Sequence, residues 1–312
     1  PAIELAEKAL VAVEEKADLD AALLMRRGRC LYYLDRHEEA LVCFRTLRNK
    51  YASAPDAKAA AYAEIVILNK LKNIPEIKVL CDAYLRKYPD ADNVEQVATL
   101  AGEVLVQSGN WPEVGKFYRS LETKFPQSES LDRYTFFQGL AIFQEGNFKE
   151  ATPIFTKFLK NFPNSPLAEN AMYYVAMSNF LTNNYKETLK SCKEYLSKFP
   201  DGRYAGDMRY RLSFIDFNDK DVDQSDKIIK DLSNFLGQHP DDTSAGSMYC
   251  LLADTYKKKT SDKPDELVKF QKLALDAYKN AVWSDSSDDV IQYALDSATT
   301  MLSGNKDYAA IA

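Results

Sequence analysis

Side chains able to do chemistry are unevenly supplied in this chain: 46 Asp and Glu, five Cys and two His among 312 residues. Imidazole acid–base catalysis needs a histidine beside its reacting partners, whereas His37 falls in a turn and His239 stands against Pro240. A zinc site wants closely spaced Cys or His, and Cys30, Cys43, Cys81, Cys192 and Cys250 form no C-x-x-C pair. They are expected to be reduced and buried, packed as small apolar groups. Carboxylates are plentiful, but the cluster Asp285 to Asp289 precedes a helical segment, where acids cap free amides and oppose the positive dipole end. The acidic run Asp216 to Asp226 lacks the alternating oxygen ligands and Gly of an EF-hand loop. No G-x-G-x-x-G, G-K-[ST], H-E-x-x-H or G-x-S-x-G occurs. Catalytic residues, metals and cofactors are therefore expected to be none.

The elements that position these side chains declare themselves by repetition. Tyr88-Pro89, Phe125-Pro126, Phe162-Pro163, Phe199-Pro200 and His239-Pro240 follow one another at 37, 37, 37 and 40 residues. A period between about 20 and 50 residues marks stacked repeats. Glycines and prolines fall between periodic segments, which favours helices joined by short turns. The cleanest stretch predicts a helix over Leu131 to Gln144, a stop at Glu145-Gly146-Asn147, and a second helix over Phe148 to Asn161 closed by Phe162-Pro163. Gly enters the left-handed region cheaply, and Pro lacks the amide needed to continue a helix. Gly139 in mid-helix costs about 1 kcal/mol against Ala, which implies close approach of the partner helix. Ala151, Phe155, Phe158 and Phe162 make one apolar stripe.

Shifting by 37 residues brings further positions into register. Gly139 falls on Gly102, Ala176 and Ser213, with Gly28 and Ile65 in the first two repeats. Ala151 falls on Ala40, and Phe155 on Phe44, Cys81, Tyr118 and Cys192, so two cysteines are expected in a core slot held elsewhere by rings. On these residues the chain resembles tetratricopeptide repeat (TPR) proteins across nearly its whole length. Gly28/Ala40/Phe44 and Gly139/Ala151/Phe155/Pro163 match best; Ile65/Ile77 and Asp216 to Ile228 depart, which puts local packing there in question. The resemblance implies an all-α, right-handed α-solenoid of helix-turn-helix repeats. A single solenoid over 1–312 would hold about seven repeats, at 20–55, 56–91, 92–128, 129–164, 165–203, 204–242 and 243–284, with half-units at 1–17 and 285–312. FPNSPLAENAMYY, FPDGRYAGDMRYR and NYKETLKSCKEYLSKFP resemble the 37-residue TPR variety of bacterial envelope proteins, of the Tol-Pal coordinator and barrel-assembly lipoprotein kind.

A net charge of -6 implies neither a nucleic-acid footprint nor a basic membrane-binding face. No apolar run approaches the roughly 20 residues that cross a bilayer, so direct membrane insertion is not expected. Ile3 to Glu15 have the phase of a second helix without a first, and Asp307 to Ala312 begin one that never finishes. The expectation is a segment of a longer protein. Three extra residues fall within Asn218 to Gln224, and a longer loop is expected from Lys257 to Pro264.

In a TPR superhelix, first helices line the concave wall, and the residues three before, one after and four after the small position face the groove. Here these are Phe136, Leu140 and Phe143, then Tyr173, Met177 and Phe180, then Tyr210, Phe214 and Phe217. They form two aromatic ladders, Phe136/Tyr173/Tyr210 and Phe143/Phe180/Phe217, suited to an apolar peptide or a sugar ring. The same residues equally suit a core packed between first helices. Earlier repeats offer Met25, Arg29 and Tyr32 with Arg26 beside them, and Thr99, Glu103 and Val106. Arg26, Arg29 and Arg133 would hold a carboxylate or backbone of a bound segment, or serve as ion-pair partners. The expected function is a non-catalytic scaffold binding a partner protein or peptide in a bacterial cell envelope or periplasm. The alternative is the helical superstructure of a larger cell-wall-acting enzyme whose catalytic domain lies outside this segment. Exposed end repeats would also permit self-association.

Overall fold

A computed structural model of the chain describes residues 3–5 and 17–304, and among them there are helices and turns but no strand. The half-unit expected over Ile3 to Glu15, residues 3–5 apart, and the helix expected from Asp307 lie outside the described residues. The chain forms two compact units, Pro1–Ala141 and Ile142–Ala312. The first contains α1 (Ala17–Tyr33), α2 (His37–Lys50), α3 (Ala57–Lys70), α4 (Ile74–Lys87), α5 (Val94–Ser108), α6 (Trp111–Lys124) and most of α7 (Leu131–Gln144). The second continues with α8 (Phe148–Asn161), α9 (Ala168–Leu181), α10 (Tyr185–Lys198), α11 (Ala205–Asn218), α12 (Ser225–Gln238), α13 (Ala245–Lys258), α14 (Pro264–Trp283) and α15 (Asp288–Gly304). Odd-numbered helices are the first members of successive hairpins and even-numbered ones the second. The architecture is an all-α solenoid of stacked helix-turn-helix repeats.

The turn inside each hairpin repeats at the level of a single dihedral angle. Asp35, Lys72, Gly109, Gly146 and Asn183, spaced 37 apart, hold φ of 58°, 56°, 68°, 80° and 57°. Each N–H donates to the carbonyl three residues back: Tyr32, Asn69, Val106, Phe143 and Phe180. In four of the five turns the next N–H reaches five residues back, as from Asn184 to Asn179 at 2.8 Å, which completes a Schellman cap. Gly146 was legible as a stop; Asp35, Lys72 and Asn183 do the same work with side chains that tolerate this conformation less well. The pattern lapses after α11, where Asp219 is extended and the three additional residues fall before α12.

Second helices end alike. Tyr51, Tyr88, Phe125, Phe162, Phe199 and His239 cap them with φ between -120° and -131° and ψ between 45° and 68°. Their N–H groups donate to the carbonyl four residues back at 2.7–2.9 Å. The lysine before the ring adds a link unsuspected from the sequence. Lys87, Lys124 and Lys198 donate to the carbonyls of Ala52, Pro89 and Pro163 in the preceding repeat at 3.5, 3.3 and 3.2 Å. Each also lies 5.3–5.4 Å over the ring that follows it.

Between the helices the core is serial. Among the described residues, apolar clusters follow one another in sequence order through the first unit, and a longer one runs from Ala176 to Ala294 in the second. Phe44, Cys81, Tyr118, Phe155 and Cys192 all fill the buried second-helix slot. A Cβ on Gly28 would lie 2.7 Å from the ring of Phe44, and one on Gly102 would lie 2.7 Å from that of Tyr118. Opposite Cys81 the small position is instead Ile65, fully enclosed in the same cluster. The departure at Ile65 is thus a trade of volume between facing positions, since close packing tolerates bulk on only one side.

Candidate partner-binding faces

Two pockets of the first unit and one of the second open on first helices, while two more in the first unit are lined mainly by second helices, with Lys78, Glu113 and Lys116 at one and Arg45, Glu76 and Val79 at the other. In the first unit a cavity of about 480 Å³ lies between α1 and α3, lined by Met25, Arg29 and Tyr32 with Lys58, Tyr62 and Val66. A second, of about 600 Å³, is lined by Tyr62 and Val66 together with Asn69, Thr99, Glu103 and Ser128. Tyr62 and Val66 line both, so α3 forms the ridge between a wall of mixed charge bearing Arg29, Lys58 and Asp92 and one bearing Glu95 and Glu103. Glu95 accepts from Tyr134 Oη at 2.9 Å and from Ser128 Oγ, which fixes the turn before α7 at the rim.

The second unit has a pocket of about 410 Å³ formed by three consecutive first helices. Tyr210, Phe214 and Phe217 come from α11, Cys250, Leu251 and Asp254 from α13, and Asp289, Val290 and Tyr293 from α15. Asp254 accepts from Tyr278 Oη at 2.5 Å and Tyr293 Oη at 2.7 Å. Burial and the Asp254 carboxylate hold both phenols protonated, with Tyr293 raised to about 12.

The residues singled out from the sequence divide into several groups. Tyr210, Phe214 and Phe217 line the second-unit pocket, and Arg29 lines the first-unit one. Arg26 is exposed on α1. Arg133 is an ion-pair partner of Glu103, Nη2 to Oε1 at 2.5 Å. Phe136 and Leu140 are 3% and 8% exposed, so the expectation that they face an open groove is corrected to a buried position. Phe143 packs its ring 4.8 Å from Tyr174 and 5.0 Å from Phe148, while Met177 is half-buried. Tyr173 stacks on Tyr204 at 4.0 Å and Phe180 meets Phe214 edge-on at 5.9 Å. These rings thus meet neighbours 31 and 34 residues on, short of the 37-residue sequence step. The guanidinium of Arg211 lies 4.4 Å over Phe180, held by two 3.0 Å bonds to Asp207.

Several pocket residues escaped notice although the same offset rule finds them. Taken from Ile65 the positions are Tyr62, Val66 and Asn69, which all line pockets; taken from Ala253, 40 residues after Ser213, they are Cys250, Asp254 and Lys257, of which the first two line the second-unit pocket. The bulky Ile65 and the drifting period after Ser213 had hidden these two repeats.

Two family models match the chain. One, described as tetratricopeptide repeat, covers residues 22–54, and the other, YfiO, described as outer membrane lipoprotein, covers residues 100–217. No curated protein matches at a significant level. Among solved structures, a tetratricopeptide repeat protein from Parabacteroides merdae is 15% identical with a TM-score of 0.52, over 89% of this chain and 98% of its own. The C-terminal part of a TPR repeat-containing protein from Cytophaga hutchinsonii is 12% identical with a TM-score of 0.56, over 86% and 98%. The repeat geometry, the family models over these stretches and these likenesses together define a tetratricopeptide repeat fold. Within that class the chain resembles the types found in the bacterial envelope. No described helix is long and apolar enough to cross a membrane.

Proposed function

We propose that this chain is a non-catalytic scaffold that holds segments of partner proteins against the faces built by its first helices, in a bacterial envelope. The observation that carries the reading is that the pockets lined by several aromatic rings open on first helices in both units. A pocket of this size admits one or two side chains of an extended or helical peptide, the mode in which grooves take anchors. Tetratricopeptide repeat proteins bind peptides or proteins, and the match to an outer membrane lipoprotein model supports the compartment. Among the described residues no group of three or more His, Cys, Asp or Glu could hold a metal ion.

Site-specific photo-crosslinking tests the reading. A benzophenone side chain at Val66, on the ridge between pockets, should give partner adducts in cell extracts of the source bacterium. The same group at Val42 or Thr156, exposed on second helices, should give none. Adducts confined to the second-helix positions would overturn the assignment of the binding face.

A further inference from the structure

The second-unit pocket differs from the first-unit cavity between α1 and α3 in charge. Arg29, Lys58 and Asp92 line the latter, a mixed set, whereas the charged residues lining the former are both acidic, Asp254 and Asp289. Around them stand the rings of Tyr210, Phe214, Phe217 and Tyr293. Phe217 already carries an ammonium, since Lys258 Nζ lies 5.2 Å over its ring and donates to its carbonyl at 3.3 Å. Lys257 approaches Asp254 to 3.9 Å and donates to Tyr278 Oη at 3.3 Å. Neither lysine lines the pocket. Each carboxylate oxygen of Asp254 takes one phenol hydrogen, which leaves acceptor capacity on both.

From this pairing of aromatic faces with carboxylates we infer that the pocket between α11, α13 and α15 receives a cationic side chain, lysine or arginine, of a bound partner segment. Ring quadrupoles attract a cation on their faces, and a charge-assisted bond to Asp254 would fix its head. An aliphatic anchor would gain from the rings and Leu251 but would cover the remaining acceptor sites of Asp254 without filling them. The inference rests on the first-helix face being the binding face, yet it can be tested without any partner.

The probe is N-acetyl-arginine methylamide, titrated into the whole chain with methyl-labelled Leu251 and Val290 observed by NMR. The neutral isostere N-acetyl-citrulline methylamide and the aliphatic N-acetyl-leucine methylamide serve as comparisons. Saturable shifts are expected with the arginine probe, and affinity for citrulline should be weaker by roughly tenfold. Asp254→Asn should weaken arginine binding by a similar factor. Because that change also disturbs two tyrosine bonds, Asp289→Asn and Phe214→Leu provide variants that leave them intact, and each should weaken binding severalfold. Equal binding of arginine and leucine probes would show an apolar pocket and overturn the inference, as would shifts indifferent to all three variants. Absence of any shift would do so too; crosslinks at Val66 would then still support the partner-binding face, so the two readings fail separately.

Discussion

Glu64 on α3 is fully buried, and Arg45 and Arg48 from α2 donate to it at 3.0 and 2.7 Å. Arg45 reaches onward to Glu76 of α4 at 2.5 Å, so its guanidinium ties three helices through the Glu76 carboxylate and the buried Glu64 one. Removing the latter leaves two arginines facing a dry site; as both are partly exposed, the cost of Glu64→Ala should fall near the lower end for broken buried pairs, about 3 kcal/mol. Urea unfolding of the variant measures this, and a loss below about 1 kcal/mol would show the network to be superficial. Nothing in the spacing of Glu64 distinguishes it from the chain's other acids, because its burial depends on where neighbouring helices cross. Cysteines were more legible. Their isolation from one another and their core phase implied inert thiols, and burial does push Cys81, Cys192 and Cys250 up to about 12. Cys30 alone among the five is half-buried, so iodoacetamide at neutral pH should label it well before the others in the folded protein.

At the scale of helices and turns, the boundaries of α7 and α8 follow the sequence reading residue for residue, because Gly146 and Pro163 each force a stop for a backbone reason. The left-handed turn residue was recognised only where it is Gly. Lys72 holds φ of 56°, which costs a β-carbon-bearing residue about 1 kcal/mol or more. Lys72→Gly should therefore stabilise the chain by roughly 0.5–1 kcal/mol, seen as a higher urea midpoint with unchanged slope. No gain would mean that the Lys72 turn is unstrained. The volume trade between the first two hairpins makes a sharper test. Gly28→Ile should be strongly destabilising against Phe44, whereas adding Phe44→Cys recreates the Ile65–Cys81 arrangement and should recover much of the loss. A coupling of at least about 1 kcal/mol between the two changes is expected in a double-mutant cycle. What stayed hidden was which rings of adjacent first helices would meet. Periodicity names the face a residue points to, but the tilt between neighbours decides that Phe180 finds Phe214.

Taken whole, the molecule holds many buried protons that the unfolded chain releases more easily. The thiols of Cys81, Cys192 and Cys250 ordinarily titrate at 9.0 and Tyr173 at 10.0, and burial raises all four to about 12. Above pH 9 the unfolded chain therefore binds fewer protons than the folded one, so stability is complete below that pH and falls as pH rises toward 12. Urea midpoints should drop steadily between about pH 9 and pH 11, and a flat profile would contradict the enclosure of these groups. The alternation of repeats was readable over most of the chain, while Asp254, Tyr278 and Tyr293 converge from helices in the region where the period breaks down. A last consequence concerns copy number. Second helices from Tyr51 to His239 end in one backbone conformation, and three lysines reach back to the preceding repeat in the same way. Joining the chain after Tyr51 directly to Pro89 would unite two ends that already share a geometry, so a gene losing or gaining one 37-residue cassette would encode a seam of backbone already in use.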